Sequence, residues 1–365
     1  MSSPTPRIVV VGAGIVGASV AYHLARRGAA VTLVDKGQPA MGVTGQGFAW
    51  INVAHSEPGP ISGLRRMAVQ EYRRLEGELG AAFPINWCGA LSWSRDPAKT
   101  ERFVREHEAH GYDVRLVARE QIALLEPNLL DVPDCAAHAG GEGAIDPVAA
   151  TEALVRAARK AGAEIRTGTE VTALAMTGGR VAGVATPHGA IDADVVVLAA
   201  GTGVRVLGET IGVTLPVDPS PAILLRVATD GRLTNGIIAS PDIEIRQVTD
   251  HVLLAAEDYI DDTPEDGPAA VAGRAVEAIR QRLRGASGVT LESVGVGWRP
   301  MPTDGLPIIG FVDGIGGLYT TVMHAGVTMA AAVGRLSASE ILDGTDAAEF
   351  ASCRLRRFAD RPSRP

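Results

Sequence analysis

The first thirty-five residues constrain this chain more than any other stretch. Ile8-Val9-Val10-Val11 is a short, wholly apolar run, as expected of a strand covered on both faces of a parallel sheet. Gly12-Ala13-Gly14-Ile15-Val16-Gly17 follows and fits G-x-G-x-x-G. A helix then runs through Val20 and Leu24 and is closed by Arg26, Arg27 and Gly28; Val31-Thr32-Leu33-Val34 is a second strand, ended by Asp35. Strand, glycine turn, helix and strand, with an acid at the end, form a dinucleotide-binding unit. Gly12 permits the tight turn, Gly14 lets backbone approach a pyrophosphate, and Gly17 lets helix and strand pack closely. The helix start, with Ile15 and Val16 in its first turn, offers N–H groups and a positive dipole end to phosphates. Asp35, 18 residues after Gly17, accepts hydrogen bonds from ribose hydroxyls in this reading, with Lys36 beside it. Its charge disfavours a 2′-phosphate.

The chain has 365 residues, which at ~150 residues per domain suggests two domains. Its net charge of −8 argues against a nucleic-acid partner. Cys88, Cys135 and Cys353 form no C-x-x-C pair, so neither a disulfide framework nor a zinc ribbon is expected, which fits a reducing cytoplasm. The uncharged run Ile8–Ala25 has its basic flank on the wrong side for a signal peptide and is short for a membrane span. A cytoplasmic protein without membrane contact is expected. His107-x-x-His110 sits among charges and reads as a solvated helix face, so no metal is assigned.

Three further stretches bear on the cofactor. Lys36 to Ile51 holds Gly37, Gly42, Gly45 and Gly47 before Phe48-Ala49-Trp50-Ile51, a loop able to lay its backbone against a flat apolar ring. Gly297-Trp298-Arg299-Pro300 leads into Thr303-Asp304-Gly305-Leu306-Pro307-Ile308-Ile309-Gly310. Met323-His324-Ala325-Gly326-Val327-Thr328-Met329 opens a helix to about Leu342. Together with the opening turn, these resemble the FAD-dependent D-amino-acid oxidase family, in particular its glycine oxidase and sarcosine oxidase-like branch. The resemblance runs from Ile8 to about Gly344.

The pattern of elements and the resemblance imply an α/β plus α+β fold. A Rossmann-like FAD-binding domain is expected in three pieces, 1–85, 140–212 and 291–365. A discontinuous antiparallel-sheet substrate domain is expected in two, 86–139 and 213–290. By position, Gly12, Gly14 and Gly17 would hold the FAD pyrophosphate and Asp35 the adenosine ribose. Thr44, Gly45 and Gln46 would lie near phosphates and ribityl chain, and Ala49, Trp50 and Ile51 near the isoalloxazine. Val171, read as part of a strand Glu170–Leu174, would contact adenine through its backbone. Ala200 and Gly201 would make a second approach to the cofactor. Gly326, Val327 and Thr328 would cap the pyrimidine edge, where a helix N-terminus stabilises negative charge on the reduced ring.

The activity implied is oxidation of the C–N bond of an amino acid or N-substituted glycine to an imine, by hydride transfer to flavin N5. Oxygen or an electron carrier would take the electrons. Arg299 matches the family's carboxylate-binding arginine, and a guanidinium fixes a carboxylate's angle as well as its position. His324 and His55 are further candidates for the pocket. Sarcosine oxidases attach FAD through a cysteine just after the equivalent of Arg299; here that stretch has none, so non-covalent FAD is expected. Two alternatives stay open: oxidation of a 2-hydroxy acid, with His55 or His324 as base, and a flavoprotein subunit that is not itself catalytic. Oligomeric state is open too.

Overall fold

The computed structural model describes residues 5–54 and 58–359. Its first layer is a six-stranded sheet in the order Ile308–Phe311, Leu318–Val322, Val195–Leu198, Arg7–Val11, Ala30–Val34, Glu164–Arg166. All neighbours are parallel except Ile308–Phe311 against Leu318–Val322. The first strand is central and buried from Ile8 to Val11, which is why those four positions are all apolar. On one face lie the helices Ile15–Arg26, Pro147–Lys160 and Gly326–Asp343, sharing one core with the sheet. The first and last of these cross closely: a Cβ on Gly334 would fall 2.1 Å from Ser19 Oγ. Asp146 caps the Pro147–Lys160 helix by accepting from the N–H groups of Val148 and Ala149. A three-stranded antiparallel sheet, Ala173–Asp192, covers the opposite face.

The second large sheet has eight strands, in the order Thr290–Pro302, Val217–Ala228, Val252–Asp258, Glu244–Thr249, Ile237–Ala239, Ala90–Ser92, Cys135–Ala139, Arg115–Ala118. Its pairs are antiparallel apart from Ile237–Ala239 with Ala90–Ser92. Thr290–Pro302 pairs along its length with Val217–Ala228, so this sheet includes a strand that the sequence reading put in the last piece of the FAD-binding domain. Alternation gives the sheet two different faces. Ile223, Leu225, Ile245, Leu253 and Ala255 pack beneath the helix Pro268–Arg282. Leu224, Glu244, Ala256 and Gly297 occupy the other face and look towards the first layer.

One local expectation fails. His107 is not solvated: it is fully buried, with Nδ1 2.7 Å from the Phe103 carbonyl, because the helix Pro97–Ala109 turns that side onto Val104 and Tyr112. Glu257 and Asp258 end the strand Val252–Asp258.

Candidate active site

A cavity of about 1330 Å³ lies between the two layers. Pockets for drug-sized ligands span about 300–1,000 Å³, so this one has room for a dinucleotide and a second molecule. One end is built by the opening turn. Gly12 has φ +106°, and a Cβ there would meet the Ala199 carbonyl oxygen at 2.5 Å. A Cβ on Gly17 would meet the Gly12 oxygen at 1.9 Å, so helix and turn touch only because both residues lack side chains. Gly12 and Gly14 line the cavity with Ile15 and Val16; Gly17 does not, and acts behind them. The helix start is less open than the sequence suggests, since the Ile15 N–H donates to Thr44 Oγ1 at 3.2 Å.

Asp35 and Lys36 line the same end. The Asp35 carboxylate is fixed by two amides, accepting from Ala13 N and Gly37 N at 2.7 Å each. Val171, Ala200 and Gly201 line the cavity as expected, although Val171 precedes its strand, which begins at Ala173. These residues fit an FAD: backbone cradles where a Cβ would intrude, and an oriented acid at the end of the second strand.

The middle of the cavity is the Thr44–Ile51 loop. Thr44, Gln46, Ala49 and Trp50 line it. Gly45 and Ile51 do not. A Cβ on Gly45 would lie 2.7 Å from the Ala40 oxygen, and Ile51 is fully buried opposite Gly143. Gln46 seats on the sheet because Gly295 and Gly297 have no side chains: a Cβ on Gly297 would be 3.0 Å from Gln46 Cβ. Ala49 holds φ +59°, a strained conformation for a residue with a Cβ. Arg246, buried on the sheet, pins this loop by donating to the Phe48 carbonyl at 2.6 Å and to Ile145 O at 3.2 Å.

The last helix closes the far end. Gly326 and Val327 line the cavity at its N-terminus, beside His324. Thr328 faces away and donates to the Trp50 carbonyl at 3.0 Å, tying helix to loop. Tyr72 Oη donates to the Val327 carbonyl, tying the helix Ser62–Leu79 to the same place. His55 lies outside the described residues. Arg299 lines the cavity, half-buried, with most of its donors engaged. Nε donates to Ser220 O at 3.3 Å, and Nη2 to Ser220 Oγ at 2.9 Å and Pro221 O at 3.1 Å.

Several residues here were not anticipated. Glu244 faces the cavity, and burial, reinforced by Glu257 and Asp258, pushes its carboxyl up to about 7, against the pull of Arg299. The alternation Ile243-Glu244-Ile245-Arg246 already puts Glu244 and Arg246 on the face opposite the core. Glu142, among glycines and without any pattern to reveal it, accepts from Trp50 Nε1 at 2.8 Å and from the amides of Val53 and Ala54. Burial raises it to about 7 as well. Arg65 and Asn52 also line the cavity. Among the described residues, no cysteine lines it, and no helix is long and apolar enough to cross a membrane.

Comparison with known proteins agrees with this geometry. A D-amino acid dehydrogenase of Cereibacter sphaeroides is 27% identical, over 98% of this chain and 97% of that one. Human mitochondrial dimethylglycine dehydrogenase is 31% identical over 58% of this chain, which is 25% of that longer protein. Among solved structures, an L-proline dehydrogenase from P. horikoshii superposes with a TM-score of 0.87 at 22% identity, covering 97% of this chain and 98% of that one. A glycine oxidase from Geobacillus kaustophilus does so with a TM-score of 0.85 at 21% identity, covering 97% of this chain and 99% of that one. The family model for FAD-dependent oxidoreductases of the DAO type matches residues 7–340, and the chain belongs to that family.

Proposed function

We propose that the chain oxidises the C–N bond of an amino acid or N-substituted glycine to an imine, which water then hydrolyses. The observation that carries this reading is the shape of the cavity. A glycine-built dinucleotide cradle at one end opens, past a strained loop and a helix N-terminus, into a space walled by guanidinium groups and an unpaired carboxyl. The similarity to dehydrogenases of D-amino acids and of dimethylglycine supports the substrate class. FAD, when bound, supplies a two-electron acceptor for the hydride leaving the carbon next to nitrogen.

The protein's own part is to bind and orient. Gly12, Gly14 and Asp35 hold the dinucleotide, with no cysteine of the described residues lining the cavity to form a thioether link. The N-terminus of Gly326–Asp343 places partial positive charge where the ring must carry added negative charge. The amine must be neutral to react. Glu244, poised near neutrality on the cavity face, is placed to take the proton that a substrate ammonium gives up. A carboxylate-bearing amine pairs with guanidinium groups of the wall, Arg299 among them. Oxygen is the acceptor in this reading; an electron carrier is the second reading, favoured by the likeness to a dehydrogenase along nearly the whole chain.

The test is anaerobic mixing of FAD-loaded protein with D- and L-amino acids, sarcosine, dimethylglycine, glycine and 2-hydroxy acids. Bleaching of the flavin band by amines alone is expected. Bleaching only by hydroxy acids, or by none of these, overturns the reading.

A further inference from the structure

The sheet wall of the cavity carries charge of both signs. Glu244 lies on the strand Glu244–Thr249, on the face turned away from the helix Pro268–Arg282, and lines the cavity. Arg299 lines it too, from the strand Thr290–Pro302 at the edge of the same sheet. Between them the register sets residues that are small or apolar: Ser220 beside Arg299, Ala222 beside Gly297, and Leu224 beside Ala256. The floor is therefore low, with a guanidinium on one side and a carboxyl on the other. They are near enough for Arg299 to act on Glu244 through space.

Neither group is consumed by the fold. Glu244 is half-buried, yet its carboxyl has no hydrogen bond or ion pair among the described residues. Arg299 keeps Nη1 after Nε and Nη2 have bonded to Ser220 and Pro221. Other charged groups near Glu244 are occupied or turned elsewhere. Arg246 donates to the Phe48 and Ile145 carbonyls, and Asp242 pairs with Arg95 and Arg282. Glu257 stands opposite Ile223 in the register, on the core face, where Arg274 acts on it. Asp258 is on the cavity face but exposed to solvent. A half-buried carboxyl without donors is costly to ionise unless a ligand brings positive charge to it.

We propose that Glu244 sets the substrate class of this site by pairing with the ammonium of a substrate whose carboxylate lies on Arg299. Amino acids are thereby selected as zwitterions over 2-hydroxy acids and plain carboxylates. This rests on the reading of the chain as an oxidoreductase of carboxylate-bearing amines and names what makes it choose amines. A hydroxyl offers Glu244 a hydrogen bond but no charge, and a second carboxylate placed there is repelled. Burial pushes Glu244 up to about 7, so the selectivity grows as pH rises through that value and the carboxyl ionises.

The test is binding, with two probes that share one shape and differ by one charge: trimethylammonioacetate and 3,3-dimethylbutanoate. Neither can form an imine. FAD-loaded protein is titrated with each while the flavin absorbance band is followed. At pH 8.5 the cationic probe is expected to bind at least about tenfold more tightly, and at pH 6 the preference drops below about threefold. Glu244→Gln should abolish the preference at both pH values and leave 3,3-dimethylbutanoate within about threefold of wild type. Wild-type protein without the preference at pH 8.5, whether it binds both probes or neither, overturns the proposal. So does a preference retained in Glu244→Gln. If that variant does not load FAD, the wild-type pH series decides alone, and a preference independent of pH overturns the assignment. Because neither probe is oxidisable, failure of the proposed reaction shows separately, as a flavoprotein that prefers the cation yet is bleached by no amine.

Discussion

Replacing Gly17 by Ala separates the role of the opening turn from simple helix propensity. Gly17 lies inside the helix Ile15–Arg26, and there Ala is favoured over Gly by about 1 kcal/mol. Propensity alone predicts a more stable protein. The structure predicts the opposite. The new Cβ would sit 1.9 Å from the Gly12 carbonyl oxygen and 3.1 Å from Ala199 Cβ, and the nearer atom is backbone that cannot rotate away. Relief requires the helix to move off the turn by roughly 1 Å, and overpacking of that kind costs about 1–3 kcal/mol. The net effect is destabilisation of up to about 2 kcal/mol, together with a displaced Gly12–Gly14 cradle and at least a tenfold loss of FAD affinity. Thermal melting of the apoprotein and quenching of FAD fluorescence measure the two separately. A raised Tm with FAD affinity within twofold of wild type would refute the reasoning.

Other expectations concern the supports of the site. Glu340→Ala leaves the buried Arg354 guanidinium without its main partner, and Tyr319 Oη without its acceptor, so a loss of about 3–5 kcal/mol in denaturant unfolding is expected; a change under 1 kcal/mol counts against it. Glu244 rises from its ordinary 4.5 to about 7 on folding, so the folded state holds this proton more tightly than the unfolded one. Stability therefore falls as pH climbs from 4.5 through 7, by at most about 3 kcal/mol from this group, and Glu244→Gln should make the slope shallower between pH 5 and 8, the remainder coming from Glu142 and Glu257, which burial also raises to about 7. An unchanged slope contradicts the placement of Glu244. Thr328→Val removes the bond to the Trp50 carbonyl and should cost about 1 kcal/mol in melting, with weaker FAD retention on gel filtration. Acid precipitation should release all the flavin into the supernatant; flavin left on the pellet would mean a covalent link.

The parts of the molecule legible in the sequence are those where backbone geometry demands a residue type. Gly12, Gly14 and Gly17 announce their turn because nothing else fits, and Ile8–Val11 announces a doubly covered strand because it has no polar face. The β-branched and apolar runs Ile223–Leu225, Ile243–Ile245 and Val252–Leu254 mark strands of the second sheet. What stayed hidden depends on long-range packing. Arg65 looks like one of several arginines on an amphipathic helix, and its burial beside Asn52, near Tyr112 and Glu142, depends on how the loops fold over that helix. Glu142 sits in a glycine-rich turn, and its three donors come from residues about ninety positions earlier. Arg299 was visible as a guanidinium, but not its engagement by Ser220, which follows from pairing with Val217–Ala228.

In the proposed function the opening turn and the last helix together hold one FAD, with room for an amine acid beside it. A crystal structure of the FAD-loaded chain with bound acetate tests this most directly. Pyrophosphate is expected against Gly12–Gly14, the ring between Ala49–Trp50 and Gly326–Val327, and acetate on a guanidinium of the cavity wall. A ring lodged elsewhere, or a cavity between the sheets that stays empty while flavin is bound, would contradict it.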